Sequence, residues 1–399
     1  MLRVDLRRAK PGMKLALPVQ NPKVPGSVLL KVGYVLDEGI ISRLDSMGIR
    51  SVWVDYPSLS FLSQYVSRDN LDAQQDLVQQ ISQTFESMQR ESAAKLTYED
   101  YTNAIGRLIE QLVAQPQTAI FLGDLVEADD DLMRHSTTVT YLSLLMGLKL
   151  ENYLVNERRH VDPTRAKEVT NLGLGTMLHD IGVPMLDNEV RQQFEQTHDE
   201  SDPAWQEHPA LGFRHVRQKL DPSAATVVLN HHQRFDGTGY VGGQYPILDG
   251  KRIHIFARIA AVADQFDRLH RPAALPEQPT VWVLSNLVSE PLASKFDPEV
   301  LSALLEVVPP YPPGSIVRLS DGRYGVCIDH SAESPCRPTV QIIPHPDALD
   351  AEELPNGEIV DLRREPIHLE VVECDGSDVT GLNFNRDQTA LSTAATQWV

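Results

Sequence analysis

Cysteine is scarce in this chain: three residues in 399, Cys327, Cys336 and Cys374. They are too few for a disulfide framework and too widely spaced for a cysteine metal motif, so they read as reduced thiols of a cytoplasmic protein. No run of about 18 uncharged apolar residues occurs, so no membrane span is expected. The opening MLRVDLRRAK lacks the apolar core of a secretion signal. Positive charge is also short, with 36 Lys and Arg against 55 Asp and Glu and a net charge of −19. That balance argues against a nucleic-acid polymer as partner, because such a surface wants a basic face. An anionic substrate would need positive charge supplied locally, and bound metal ions would supply it.

The length suits roughly two to four domains, and the apolar share of 42% supports real cores. The pattern reads as a mainly α chain with a small α+β domain in front and a small β-barrel or meander behind. Residues 1–62 form the α+β unit. Turns fall at Pro11-Gly12 and Pro25-Gly26, and short strands at residues 27–32 and 51–55. Between them a helix over residues 37–47 carries Ile40, Ile41 and Leu44 and stops at Gly48. Residues 63–118 read as a helical linker. Leu77, Ile81, Phe85 and Met88 keep one stripe; after a Thr97 cap, Tyr101, Ile105, Leu108 and Leu112 keep another. These helices pack on a neighbouring domain or on a second copy of the chain.

Residues 119–310 form a nearly all-helical domain. Residues 311–375 alternate in polarity, with strands expected at 315–319, 324–329, 338–343 and 368–372. Residues 376–399 are polar and patternless, the pattern of a mobile tail.

The helical domain holds the chemistry. Residues 177–182 read MLHDIG and set His179 beside Asp180 at the end of an apolar run. His135 lies on the stripe of Leu132, Val139, Leu142 and Met146. His208-Pro209 opens a helix, and Pro222 starts another that runs to His231-His232. Asp264 stands among Ile259, Ala260, Ala263 and Phe266. Each has a bland explanation: a core histidine, a cap, a charge answering the helix dipole. A carboxylate among apolar residues needs a partner in any case, since burying it alone is costly. Five histidines and two aspartates gathered at helix ends of one domain suit a two-metal cluster. Mixed imidazole and carboxylate donors favour iron, manganese or zinc. The other histidines (160, 198, 215, 254, 270, 330, 345 and 368) show no such placement.

These pieces carry a resemblance. The His135 helix RHSTTVTYLSLLMG, MLHDIG, EHPALGF, HHQRFDGTGY and RIAAVADQFDRL resemble, in order and spacing, the HD-GYP branch of the HD phosphohydrolases. The segments KPGMKL, VLLKVG and GIRSVWV resemble a small domain often found ahead of it. The segments FDPEVLSALLEV and PPGSIVRLSDGRYGV are similar to the stretch that trails that domain in the family.

The resemblance implies a cytoplasmic bacterial phosphodiesterase that hydrolyses cyclic di-GMP or a related cyclic dinucleotide in signalling. One divalent ion would take His135, His179 and Asp264, the other His208, His231 and His232, with Asp180 bridging them. His179 and Asp180 then stand at the catalytic centre, where two ions activate water and neutralise the phosphoryl group. Asp131, one turn before His135, matches the ligand of a third ion in some members. Gly239, Tyr240 and Arg271 match substrate-facing positions. A homodimer or a signalling partner protein is also implied.

The chain departs from the family pattern at the substrate. Val183 stands where a lysine usually follows HDIG, Val241 replaces the proline of GYP, and Ala274 replaces a basic residue. The lost lysine removes an electrostatic stabiliser, and the lost proline leaves the loop less restrained. Two alternatives therefore stay open: a non-catalytic signalling or interaction protein, and an HD phosphohydrolase with another nucleotide substrate.

Overall fold

The computed structural model describes residues 2–21, 27–49, 51–65, 98–114, 131–272, 275–349 and 357–386. The expected stripe at Leu77, Ile81, Phe85 and Met88, the Thr97 cap, the Pro25-Gly26 turn, Ala274 and most of the tail lie outside them.

The N-terminal part contains β1 (Leu2–Asp5), β2 (Val19–Gln20), β3 (Val28–Leu30), α1 (Glu38–Ser46) and β4 (Ser51–Val54). β1 pairs antiparallel with β4, and β2 with β3. Asp37 caps α1 by accepting the Ile40 amide at 2.8 Å. α1, β3 and β4 fall where expected and β1 and β2 were not expected, but these elements do not close a core of their own. Leu2, Val4, Leu15 and Val54 share one apolar cluster with Ile316, Val326, Ile328 and Ile343 of the C-terminal sheet. Two-stranded sheets and one short helix bury too little surface to stand alone.

The helical core runs through α2 (Tyr98–Ala114), α3 (Asp131–Lys149), α4 (Glu151–Glu157), α5 (Thr170–Met177), α6 (Asn188–Thr197), α7 (His208–Val216), α8 (Pro222–Asn230), α9 (Ile255–His270), α10 (Thr280–Leu287) and α11 (Pro298–Val307). α3 is its axis and packs on α5, α9 and α11. It is buried on every side from His135 to Gly147, not along one stripe. Its threonines survive burial by bonding their own helix: the hydroxyls of Thr137, Thr138 and Thr140 donate to the carbonyls of Met133, Arg134 and Ser136 at 2.7–3.0 Å. The expected stripe of Tyr101, Ile105, Leu108 and Leu112 on α2 is buried in the same core, α2 packing on α5. Among the described residues no helix is long and apolar enough to cross a membrane.

The C-terminal part is a six-stranded antiparallel sheet of β5 (Ile316–Leu319), β6 (Tyr324–Asp329), β7 (Thr339–Ile343), β8 (Ile359–Asp361), β9 (Val371–Cys374) and β10 (Ser377–Asp378), in the order β10-β9-β5-β6-β7-β8. β5 to β8 form a meander, and the chain then returns to pair β9 with β5. β8 and β10 were not expected, being too short to show an alternating pattern, and β9 starts later than the 368–372 reading. All three cysteines are free and buried in or beside this sheet.

Candidate metal centre

Helix ends bring the donors together. α5 stops at Met177, and His179 and Asp180 follow in the turn beyond it. His208 opens α7 with Pro209 in the first turn. His231 caps the C-terminus of α8, with His232 next. α3 and α9 run side by side and contribute His135 and Asp264. Gly182 makes the approach possible: a Cβ there would lie 2.0 Å from the His208 carbonyl oxygen. Any side chain at residue 182 would push the turn away from α7.

All seven residues predicted from the sequence are buried, and they converge. Asp180 lies at the centre with its two oxygens divided. Oδ2 is 3.7 Å from Nε2 of His135 and 3.5 Å from Nε2 of His179. Oδ1 is 3.3 Å from Nε2 of His208 and 3.4 Å from Nε2 of His231. Nε2 of His135 also lies 3.1 Å from Asp264 Oδ1, and His232 Nδ1 lies 3.9 Å from Asp264 Oδ2. Two groupings able to hold a cation result: His135, His179 and Asp180, and Asp180, His208, His231 and His232.

The outer nitrogens fix the tautomers. Nδ1 of His179 donates to the Thr176 carbonyl at 2.6 Å, Nδ1 of His208 to Trp205 at 2.8 Å, and Nδ1 of His231 to Val228 at 3.0 Å. The Val228 carbonyl, in the last turn of α8, is one of the groups a helix end leaves without an intrahelical partner. Each ring therefore turns an Nε2 lone pair toward Asp180. Burial holds His179 near 3 and lowers His208 and His232, so these rings are neutral at pH 7, as ligands must be. Burial opposes ionisation of Asp180, but His179, His208 and His231 keep it well below the usual carboxylate range. Burial and Arg268 depress His135, yet its hydrogen bonds to Asp264 and Asp267 carry it up to about 9.

The donor set fits a cation by a second observation. Asp180 Oδ1, Asp264 Oδ2 and both ring nitrogens of His232 are buried and make no hydrogen bond. Left so, each would cost free energy. Imidazoles combined with carboxylates suit a transition metal.

Three more residues crowd this centre that sequence reasoning passed over. Asp267 Oδ2 accepts from His135 Nδ1 at 2.8 Å. Arg268 Nε donates to Asp264 Oδ1 at 3.0 Å and lies 3.1 Å from Glu200 Oε1. The signal for the first two was their offset of three and four from Asp264, which shares a helix face; Glu200, in a loop, gave none. Glu200, His232 and Asp264 form a third grouping, but the Arg268 guanidinium already neutralises its two carboxylates.

The remaining expected residues fall elsewhere. Asp131 is exposed and pairs with Arg134, and it takes no part in these groupings. Arg271 pairs with Asp267 and lies 3.3 Å from Glu277, so it braces the carboxylate behind His135 and does not join the ligands. Tyr240 stacks on His232 with ring centroids 4.5 Å apart. Gly239 packs so closely that a Cβ would lie 2.3 Å from the His232 carbonyl oxygen. Val183 and Val241 are buried. The loop around Val241 is fastened despite the missing proline. The Leu248 amide donates to Gln233 at 2.8 Å, and the Gly243 amide to Glu207 at 2.9 Å.

Residues 150–300 match the HD domain family, and residues 316–378 match the KOW domain associated with HD domain. The chain is 27% identical over 245 residues to a cyclic di-GMP phosphodiesterase of Pseudomonas aeruginosa, covering 60% of this chain and 55% of that one. It is 31% identical over 146 residues to the cyclic di-GMP phosphodiesterase response regulator RpfG of Xanthomonas campestris, covering 35% and 36%. It is 32% identical over 134 residues to a 3'3'-cGAMP-specific phosphodiesterase of Vibrio cholerae, covering 32% and 27%. The chain thus spans about half the length, or less, of these curated relatives. A solved HDGYP protein from Bdellovibrio bacteriovorus overlays 77% of this chain and 98% of its own at 18% identity and a TM-score of 0.45, too loose a likeness to argue from.

Proposed function

Residues 150–300 being an HD domain, we propose that this chain is a two-ion phosphodiesterase that hydrolyses a cyclic dinucleotide, cyclic di-GMP or a close relative. The observation that carries this reading is the division of Asp180: one oxygen faces His135 and His179, the other His208 and His231. A carboxylate so placed can serve two cations at once. His135, His179 and Asp264 would complete one ligand set, and His208, His231 and His232 the other. Iron, manganese or zinc suits these donors. When bound, such ions supply an activated water and offset the charge that builds on the phosphoryl oxygens.

The chain's own residues do the rest. The Thr176, Trp205 and Val228 carbonyls hold three imidazoles in the ligand tautomer, and the Asp267 carboxylate orients the fourth, His135. Gly182 and Gly239 let the two loops close on His208 and His232. The named activity of the three relatives supports a cyclic dinucleotide as substrate. The free, buried thiols fit a cytoplasmic protein.

One observation favours a non-catalytic signalling protein instead: Arg268 already offsets Asp264. Elemental analysis of protein purified without chelator separates the two. The enzyme reading expects about two equivalents of iron, manganese or zinc, lost in His179→Ala, and turnover of at least one cyclic dinucleotide. Absence of metal after reconstitution, or no turnover of any cyclic dinucleotide, would sink it.

A further inference from the structure

Beside the ligand cluster three buried donors make no hydrogen bond: Nη2 of Arg268, Nη1 of Arg234 and the hydroxyl of Tyr240. Each is expensive to bury in that state, the charged ones most of all. They belong to one local group. Both guanidiniums lean on the Glu200 carboxylate, Arg268 Nε at 3.1 Å and Arg234 Nη2 at 3.8 Å. Arg234 Nη2 also donates to Gln265 at 3.1 Å. Arg268 lies over the Phe194 ring, 5.4 Å from its centroid. Tyr240 is held by its stack on His232.

Arg268 does more than neutralise Asp264. Its Nε meets Asp264 and Glu200, which a single N–H would satisfy. Its Nη2 instead lies 3.8 Å from Asp180 Oδ2, the atom shared with His135 and His179. An anion seated over Asp180 would fall within its reach. A phosphate oxygen accepts several donors and matches the guanidinium fork. On the reading of the site as a phosphodiesterase, we infer that Arg268, backed by Tyr240 and Arg234, receives a non-bridging phosphate oxygen of the substrate. Positive charge then reaches the phosphate from α9, four residues beyond Asp264, and not from the position after HDIG, where Val183 is buried.

The test is titration calorimetry of inorganic phosphate into the manganese-loaded full chain, for wild type, Arg268→Gln, Arg268→Lys and Tyr240→Phe, with metal content measured on each. KM and kcat for cyclic di-GMP are measured alongside. Arg268→Gln should weaken phosphate binding at least about tenfold and raise KM by a similar factor at unchanged manganese content, the scale of a lost charged hydrogen bond. Arg268→Lys should recover most of the loss. Unchanged phosphate affinity overturns the inference, as does a loss that follows manganese and that lysine does not restore. If Arg268→Gln does not fold, Tyr240→Phe carries the test: several-fold weaker phosphate at constant metal supports it, and wild-type affinity overturns it. A wild type that binds phosphate through Arg268 but cleaves no cyclic dinucleotide refutes the proposed function and leaves this subsite standing. Turnover with Arg268→Gln unaffected does the reverse.

Discussion

An arginine stands near each end of α9, and the contrast between them separates structure from function. Near its start Arg258 has every nitrogen engaged: Nε donates to the Ile253 carbonyl at 3.0 Å, Nη1 to Tyr153 at 3.1 Å and to Asp297, and Nη2 to Glu157. It fastens α9 to α4 and to the start of α11. About three turns on, Arg268 touches Asp264 and Glu200 through one nitrogen and leaves Nη2 without a hydrogen bond. A completed network braces a fold; an incomplete one beside a cluster of orphaned ligand atoms waits for something to bind.

The sharpest way to break this contrast is at the residue both ion sets share. Asp180→Asn should lower turnover by about 10²–10³-fold or more, the scale of losing a central electrostatic group, and should lower metal content with it. Metal content at the wild-type level would show that Asp180 does not bridge. Arg258→Met should act through stability alone. It leaves the Glu157 and Asp297 carboxylates facing a buried gap, a cost of about 3–5 kcal/mol, read as a lower urea midpoint. Retained metal stoichiometry in the fraction still folded is the expected control; a selective loss of metal would blur the distinction between the two arginines.

The histidines extend the comparison. Three are oriented by main-chain carbonyls, which no substitution removes, and His135 by a carboxylate, which one substitution does. Asp267→Asn should therefore weaken metal binding about 10–100-fold in only one of the two sets, seen as a biphasic zinc titration. A uniform loss in both would mean that the sets are not independent. The smallest effect is expected from Val183→Lys. With Arg268 already supplying charge at Asp180, an added lysine should change cyclic di-GMP turnover by no more than about threefold, well below a full electrostatic contribution. A gain of tenfold or more would show that the position after HDIG still limits the rate.

Much of the site was legible beforehand because ligand chemistry and helix ends both leave local marks. Proline after His208, the apolar run into His179 and the run ending at His231-His232 placed those donors at helix termini. The structure brings all seven together. Asp131 and Arg271 came instead from the family resemblance, as a third-ion ligand and a substrate-facing residue. Asp131 is exposed and paired with Arg134, away from the ligand groupings, and Arg271 pairs with Asp267, which bonds His135. Among the folds, the N-terminal elements were readable but their dependence on the C-terminal sheet was not. Apolar alternation says that a face is buried and not against what.

Residue types and spacing by themselves determined a mainly helical chain with a β part behind it and the donor set of a candidate metal site. These depend on side-chain chemistry and on periodicity within a few turns. Only the tertiary structure decided that the two oxygens of Asp180 part between two pairs of histidines. It alone set Asp267 behind His135, 132 residues away in sequence, and left Arg268 with a donor that makes no hydrogen bond beside the shared carboxylate. Each of those facts is a distance between segments far apart in the chain, and such distances are set by how helices pack, which no local pattern encodes.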